Sequence, residues 1–274
     1  MRIWPTLADP QTETIAGLRT CWIGQAGTTP PVFFQHCTLA RAAAWGGVIA
    51  ALPDDLCYGA NDLPGHGGTA HDAGRDLQAQ AAEIAAVLIS RMDGPVVFVG
   101  HSFGATIGLR LARDHPELIQ SLVLYEPVLF GLLGDVDHPA WAKEQAAQRQ
   151  FITLLASDRH AATGVFVDRW GGAPWHTLPV ARQQAMVDGI GLVAASDAAL
   201  FGPASGRVSA DDLCAIPHPV VLLAGAETDP VIAPIQDIMA ERLAVRARIR
   251  VPGAGHMGPI THPEPMAAAI RQLL

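Results

Sequence analysis

Four short apolar runs constrain this chain most: Val32-Phe33-Phe34, Val96-Val97-Phe98-Val99, Leu122-Val123-Leu124-Tyr125 and Val220-Val221-Leu222-Leu223-Ala224. None alternates polar with apolar, so each reads as a strand buried on both faces, the pattern of a parallel sheet. Helical patterns lie between them. Leu77, Ala81, Ile84 and Leu88 recur at helical spacing, on a helix that should end before Gly94-Pro95 opens the next strand. Strand, helix and strand in succession predict right-handed crossovers and a doubly wound, mostly parallel α/β sheet covered on both faces. With 274 residues, 50% hydrophobic and 16% charged, the chain has the apolar surface for that core, and neither disorder nor a small disulfide-held scaffold fits it.

The rhythm breaks after Pro127. From Phe130 to Ala215 no buried strand is readable, and helical patterns cover Trp141–Leu155, Thr163–Trp170 and Val180–Leu192. Strand signals resume at Val220 and over Ala247–Val251. Residues 1–129 and 216–274 thus read as the sheet domain and 130–215 as a helical insertion, too long for a plain loop.

Charge and cysteine content narrow the partners. Lys and Arg total 18 against 26 Asp and Glu, a formal charge of −8, which repels phosphate backbones and anionic headgroups; neither nucleic acid nor a membrane is expected as a partner. The longest apolar stretch, Ala42 to Leu52, is well short of the roughly 20 residues of a spanning helix. Met1–Pro5 lacks the apolar core of a secretory signal, and Cys21, Cys37, Cys57 and Cys214 show no CxxC spacing. A cytoplasmic location, free thiols and no metal or other cofactor are the expectation.

Chemistry enters at Gly100-His101-Ser102-Phe103-Gly104, a G-x-S-x-G motif directly after an apolar strand and directly before a helical pattern. A serine in such a strand-to-helix turn is pushed out above the sheet, and the small residues two positions either side let strand and helix approach. The helix N-terminus favours negative charge developing beside the serine. A hydroxyl becomes a nucleophile only when a base takes its proton, and the base needs an orienting carboxylate. His256 follows the strand exit and glycine-rich loop Val251-Pro252-Gly253-Ala254-Gly255, which can bring an imidazole over the same sheet edge. For the carboxylate, Asp229 in Gly225-Ala226-Glu227-Thr228-Asp229 is the first choice, and Glu227 and Glu126 compete with it. The N–H of Phe103, next after the serine, suits one arm of an oxyanion hole.

These motifs, together with Asp62-Leu63-Pro64-Gly65-His66-Gly67, similar to a D-x-P-G-x-G turn, make the chain resemble an α/β-hydrolase over nearly its whole length. The resemblance implies the α/β-hydrolase fold, a lid formed by 130–215 and a structural role for His66. It also implies a second oxyanion N–H after Val32–Gln35, where the family commonly has His-Gly and this chain has His36-Cys37-Thr38-Leu39. Cysteine does not adopt glycine's positive φ cheaply, so Thr38 and Leu39 both remain donors in prospect. Cys37, with no histidine aimed at it, reads as a packed thiol. His36, Cys37, His101 and Met257, with Trp141, Trp170 and Trp175 of the insertion, are the candidate pocket residues.

The expected activity is that of a serine hydrolase acting through an acyl-enzyme on a small-molecule substrate, a small, neutral, apolar carboxylic ester. The same triad would also serve lactone, thioester or C–C bond hydrolysis, acyl transfer or perhydrolysis, and a ligand-binding receptor of the same fold is the non-enzymatic alternative. Ser102 argues against the epoxide hydrolase and haloalkane dehalogenase branches, which use aspartate at that position.

Overall fold

The computed structural model describes residues 12–15, 18–23, 29–53, 56–92 and 94–274; Met1–Pro5, the segment that lacks a secretory-signal pattern, lies outside the described residues. Among the described residues eight strands form one sheet: β1 (Thr12–Ile15), β2 (Leu18–Ile23), β3 (Val32–Gln35), β4 (Tyr58–Asn61), β5 (Val96–His101), β6 (Ile119–Tyr125), β7 (Val220–Gly225) and β8 (Val245–Val251). Their order is β1-β2-β4-β3-β5-β6-β7-β8. From β4 to β8 every neighbouring pair is parallel, while β1 and β2 add an antiparallel edge.

The four apolar runs are the central strands β3, β5, β6 and β7, and alternate residues of each leave by opposite faces. Phe33, Phe98, Leu122, Leu124 and Leu222 pack under the helices Leu77–Ile89, Phe103–Asp114 and Ile232–Arg242. Val32, Phe34, Val97, Val99, Val123, Tyr125 and Leu223 pack on the other face under Gly46–Ala50 and Pro263–Arg271. Each large side chain so buried contributes about 1.5–3 kcal/mol. Strands β1, β2 and β4 escape the apolar-run pattern: Tyr58-Gly59-Ala60-Asn61, for instance, carries little side-chain bulk. At the far edge, β8 turns Arg246, Arg248 and Arg250 to solvent, a charged stripe that blunts edge-to-edge pairing.

Between β6 and β7 the chain makes only helices, from Gly131–Asp135 to Ala210–Cys214. The longest are Ala140–Ser157, Arg159–Trp170 and Val180–Gly189; the pattern read over Val180–Leu192 is divided, a second short helix beginning at Gly191. Asp158 caps the second long helix, its carboxylate accepting the Ala161 N–H. Among the described residues no helix is long and apolar enough to cross a membrane.

Candidate active site

Ser102 has φ 56° and ψ −118°, between β5 and the helix Phe103–Asp114. An ordinary N-cap serine gives its oxygen to N–H groups of the first turn; here the left-handed backbone turns the side chain away and no such cap forms. Its Oγ instead donates to His256 Nε2 at 2.9 Å. The sharp turn needs Gly104, since a Cβ there would overlap the carbonyl oxygens of Gln35 and His36.

His256 donates from Nδ1 to Glu126 Oε2 at 2.7 Å. A carboxylate only accepts, so Nδ1 carries the proton and Nε2 is left free to accept from the serine. Glu126 is 0% exposed, and its remaining lone pairs take the Gly225 N–H at 2.7 Å and the Thr228 hydroxyl at 2.6 Å. Three donors compensate a charge that would otherwise be costly in the interior. The residue follows β6 with φ 47°, and the pairing of His101 with Tyr125 brings it beside Ser102.

Asp229, the first choice for that carboxylate, is not against His256. Its Oδ2 accepts from Arg169 Nε at 2.7 Å and its Oδ1 from the Val231 N–H at 3.0 Å. Burial works to raise its pKa, but these two donors, with the positive charges of Arg169 and Lys143, outweigh burial and hold the carboxyl below the usual range. Asp229 leaves β7, one strand further from Ser102 than β6, and turns to the insertion. Glu227 is exposed.

The loop after β3 is braced by two histidines in exchange. His36 accepts the Leu63 N–H at Nε2, 2.9 Å, and donates from Nδ1 to the Cys37 carbonyl at 2.7 Å. His66, from the Asp62–Gly67 turn, accepts the Leu39 N–H at Nε2, 3.0 Å, and donates from Nδ1 to the Pro64 carbonyl. Leu39, not Cys37, takes the positive φ, at 63°. Its N–H being committed to His66, Leu39 is removed as an oxyanion donor. Among the described residues the Thr38 N–H has no protein acceptor, and that of Phe103, first in its helix, has no carbonyl one turn back inside the helix to meet.

A cavity of about 600 Å³ opens over the serine, lined by Ser102, His256, Thr38 and the inner faces of the insertion helices. Of the candidate pocket residues, Cys37, Trp170 and Met257 line it, whereas His36, His101, Trp141 and Trp175 do not. His36 is the loop brace, and burial, then neighbouring His66, pushes its pKa down to about 3. His101 is buried and donates to the His256 carbonyl at 2.8 Å; burial, then His256 beside it, holds its imidazole well below the usual range, so it is neutral. Trp141 stacks on Phe201, and Trp175 packs edgewise on His160. Burial pushes the Cys37 thiol up to about 12, which leaves it protonated and inert.

Sequence reasoning had no signal for Arg169 and Glu144, which line the cavity as a bonded pair at 2.8 Å, or for Tyr125, whose hydroxyl donates to the Gly255 carbonyl at 2.7 Å and steadies the loop before His256. Gly258 leaves room for that hydroxyl, which a Cβ at the position would overlap.

Comparison with known proteins agrees with this architecture. Lipase LipV of Mycobacterium tuberculosis is 35% identical over 94 residues, 34% of this chain and 36% of that protein. The first curated relatives are thus matched over about a third to a half of their own length. A pimeloyl-[acyl-carrier protein] methyl ester esterase of Methylococcus capsulatus is 26% identical over 92% of this chain and 98% of its own. The crystal structure of a hydrolase from Pseudomonas aeruginosa PA01 shares the fold, with a TM-score of 0.71 at 22% identity over 93% of both chains. The pattern of the alpha/beta hydrolase family matches residues 24–269, and the chain belongs to that family.

Proposed function

We propose that this hydrolase cleaves carboxylic esters through an acyl-enzyme, with Ser102 as nucleophile, His256 as general base and Glu126 as the orienting carboxylate. The observation that carries the reading is the unbroken chain from Ser102 Oγ through His256 to Glu126 at 2.9 and 2.7 Å, facing the cavity. Ser102 Oγ attacks the ester carbonyl carbon while its proton passes to His256 Nε2. The carbonyl oxygen becomes an oxyanion held by the N–H groups of Phe103 and Thr38, each worth a few kcal/mol of barrier. On collapse the C–O bond breaks and the alcohol leaves with the proton from His256. Water, deprotonated by the same imidazole, then releases the acid and restores Ser102.

Val128, Phe130, Phe151, Leu154, Leu200 and Phe201 give the cavity an apolar wall, which favours a neutral, apolar acyl group, and the insertion acts as the lid that encloses it. The relative that matches almost end to end is named as a methyl ester esterase of a carrier-bound acyl chain, and this supports a second reading in which a carrier-linked methyl ester is the substrate. A screen of p-nitrophenyl esters, lactones and acyl thioesters, with a fluorophosphonate label, tests the first reading, and methanol release from a dicarboxylate monomethyl ester linked to a carrier as a thioester tests the second. Ester turnover lost in Ser102→Ala, with labelling at Ser102, is expected; undiminished turnover in that variant would remove the assignment.

A further inference from the structure

Arg169 joins three groups that belong to different parts of the molecule. Its Nε donates to Asp229 after β7, and its second nitrogen donates to Glu144 of the helix Ala140–Ser157. Glu144 is only 3% exposed, so this guanidinium compensates one buried and one half-buried carboxylate at once. The same guanidinium lies 4.6 Å from the ring centroid of Trp170, within cation–π distance. Trp170 in turn meets the His256 ring edgewise, centroids 4.8 Å apart. Asp229 directly follows Thr228, whose hydroxyl holds Glu126. Two adjacent residues therefore grip the triad carboxylate on one side and the helical insertion on the other.

We propose that Arg169 is a positioning residue: its bridge to Asp229 latches the insertion onto the sheet and thereby seats Trp170 against His256. The inference rests on the reading of His256 as general base. An imidazole that both takes and returns a proton must keep one orientation, and Glu126 fixes only its Nδ1 edge. The ring itself is flanked by His101, centroids 5.0 Å apart, and by Trp170, and the latch holds the second of these walls in place. The planar fork of arginine fits a role that needs two carboxylates held at once and a ring covered, where lysine has a single point of charge.

The test compares wild type with Arg169→Met, Arg169→Lys and Asp229→Asn, each made with and without Trp170→Phe so that the difference isolates Trp170 emission. Acrylamide quenching of that component should rise at least twofold in Arg169→Met and Asp229→Asn. On p-nitrophenyl butyrate kcat should fall about tenfold with KM changed less than twofold, and Arg169→Lys should recover part of the loss. Unchanged quenching together with kcat within twofold of wild type would overturn the latch, as would a loss in Asp229→Asn as deep as that in Glu126→Gln. If Arg169→Met does not fold, Asp229→Asn cuts the same bridge from the sheet side. A wild type that hydrolyses no ester would sink the proposed function, while the quenching would still decide the latch.

Discussion

Ser102 and Glu126 leave adjacent parallel strands at the same level, because His101 on β5 is the register partner of Tyr125 on β6. The imidazole from the loop after β8 drops between them, 2.9 Å from one and 2.7 Å from the other. Glu126→Gln should therefore lower kcat by about 10³–10⁴-fold, since a neutral amide no longer holds the Nδ1–H tautomer. Asp229→Asn should cost only about tenfold, the loss of an ion pair that reaches the imidazole only through Arg169 and Trp170. Steady-state kinetics on one activated ester separates the two, and the reverse ranking would return the acid to β7.

Stability should fall on acidification because the buried histidines are neutral. The His36 imidazole goes from 6.5 in an unfolded chain to about 3 when folded, and His66 and His101 are also lowered by burial. Between those two values the unfolded chain binds a proton that the folded one does not, so stability rises with pH. The His36 contribution is fully present above 6.5 and is lost as pH falls towards 3, at up to about 1.4 kcal/mol per pH unit. Urea unfolding at pH 7.5 and 5.0 should show the drop, and His36→Gln should flatten it while lowering stability at pH 7.5. An equal slope in wild type and variant would count against the buried neutral state.

Gly104→Ala should damage both fold and site. The added methyl meets the Gln35 and His36 carbonyls, forcing the helix Phe103–Asp114 off β3 at about 1–3 kcal/mol. Those two carbonyls begin the loop that carries Thr38, so kcat should fall along with the melting temperature. Full activity with a lowered melting temperature would separate the loop from the oxyanion site.

Ala147 lies on the cavity wall one turn before Phe151 on the helix Ala140–Ser157. Ala147→Phe should fill part of the space, so that the ratio of kcat/KM for octanoyl over acetyl esters falls about tenfold or more. An unchanged ratio would put the acyl chain elsewhere.

How much was legible in the sequence depended on how local its cause is. The central strands, the serine turn and the helical character of 130–215 follow from runs of neighbouring residues, and local patterns report such things directly. The sharp turn at Ser102, with φ 56°, was announced by glycines two residues away. His256 was readable because a glycine-rich loop after a strand leaves few other uses for an imidazole.

Which carboxylate meets His256 was decided elsewhere. The pair is separated by 130 residues, and the choice between Glu126 and Asp229 turned on β6 lying next to β5 in the sheet, with β7 one position further out. Asp229 had the more suggestive neighbours in sequence but a stronger partner in space, Arg169. The exchange between His36 and His66, which gives the Leu39 N–H away and leaves that of Thr38, likewise joins residues in loops after β3 and β4. By itself the amino-acid sequence determined a parallel sheet with a serine at the crest of one strand, since burial and turn geometry are written in adjacent residues. Hydrogen bonds between distant loops depend on where the folded strands bring their ends, and only the tertiary structure settled those.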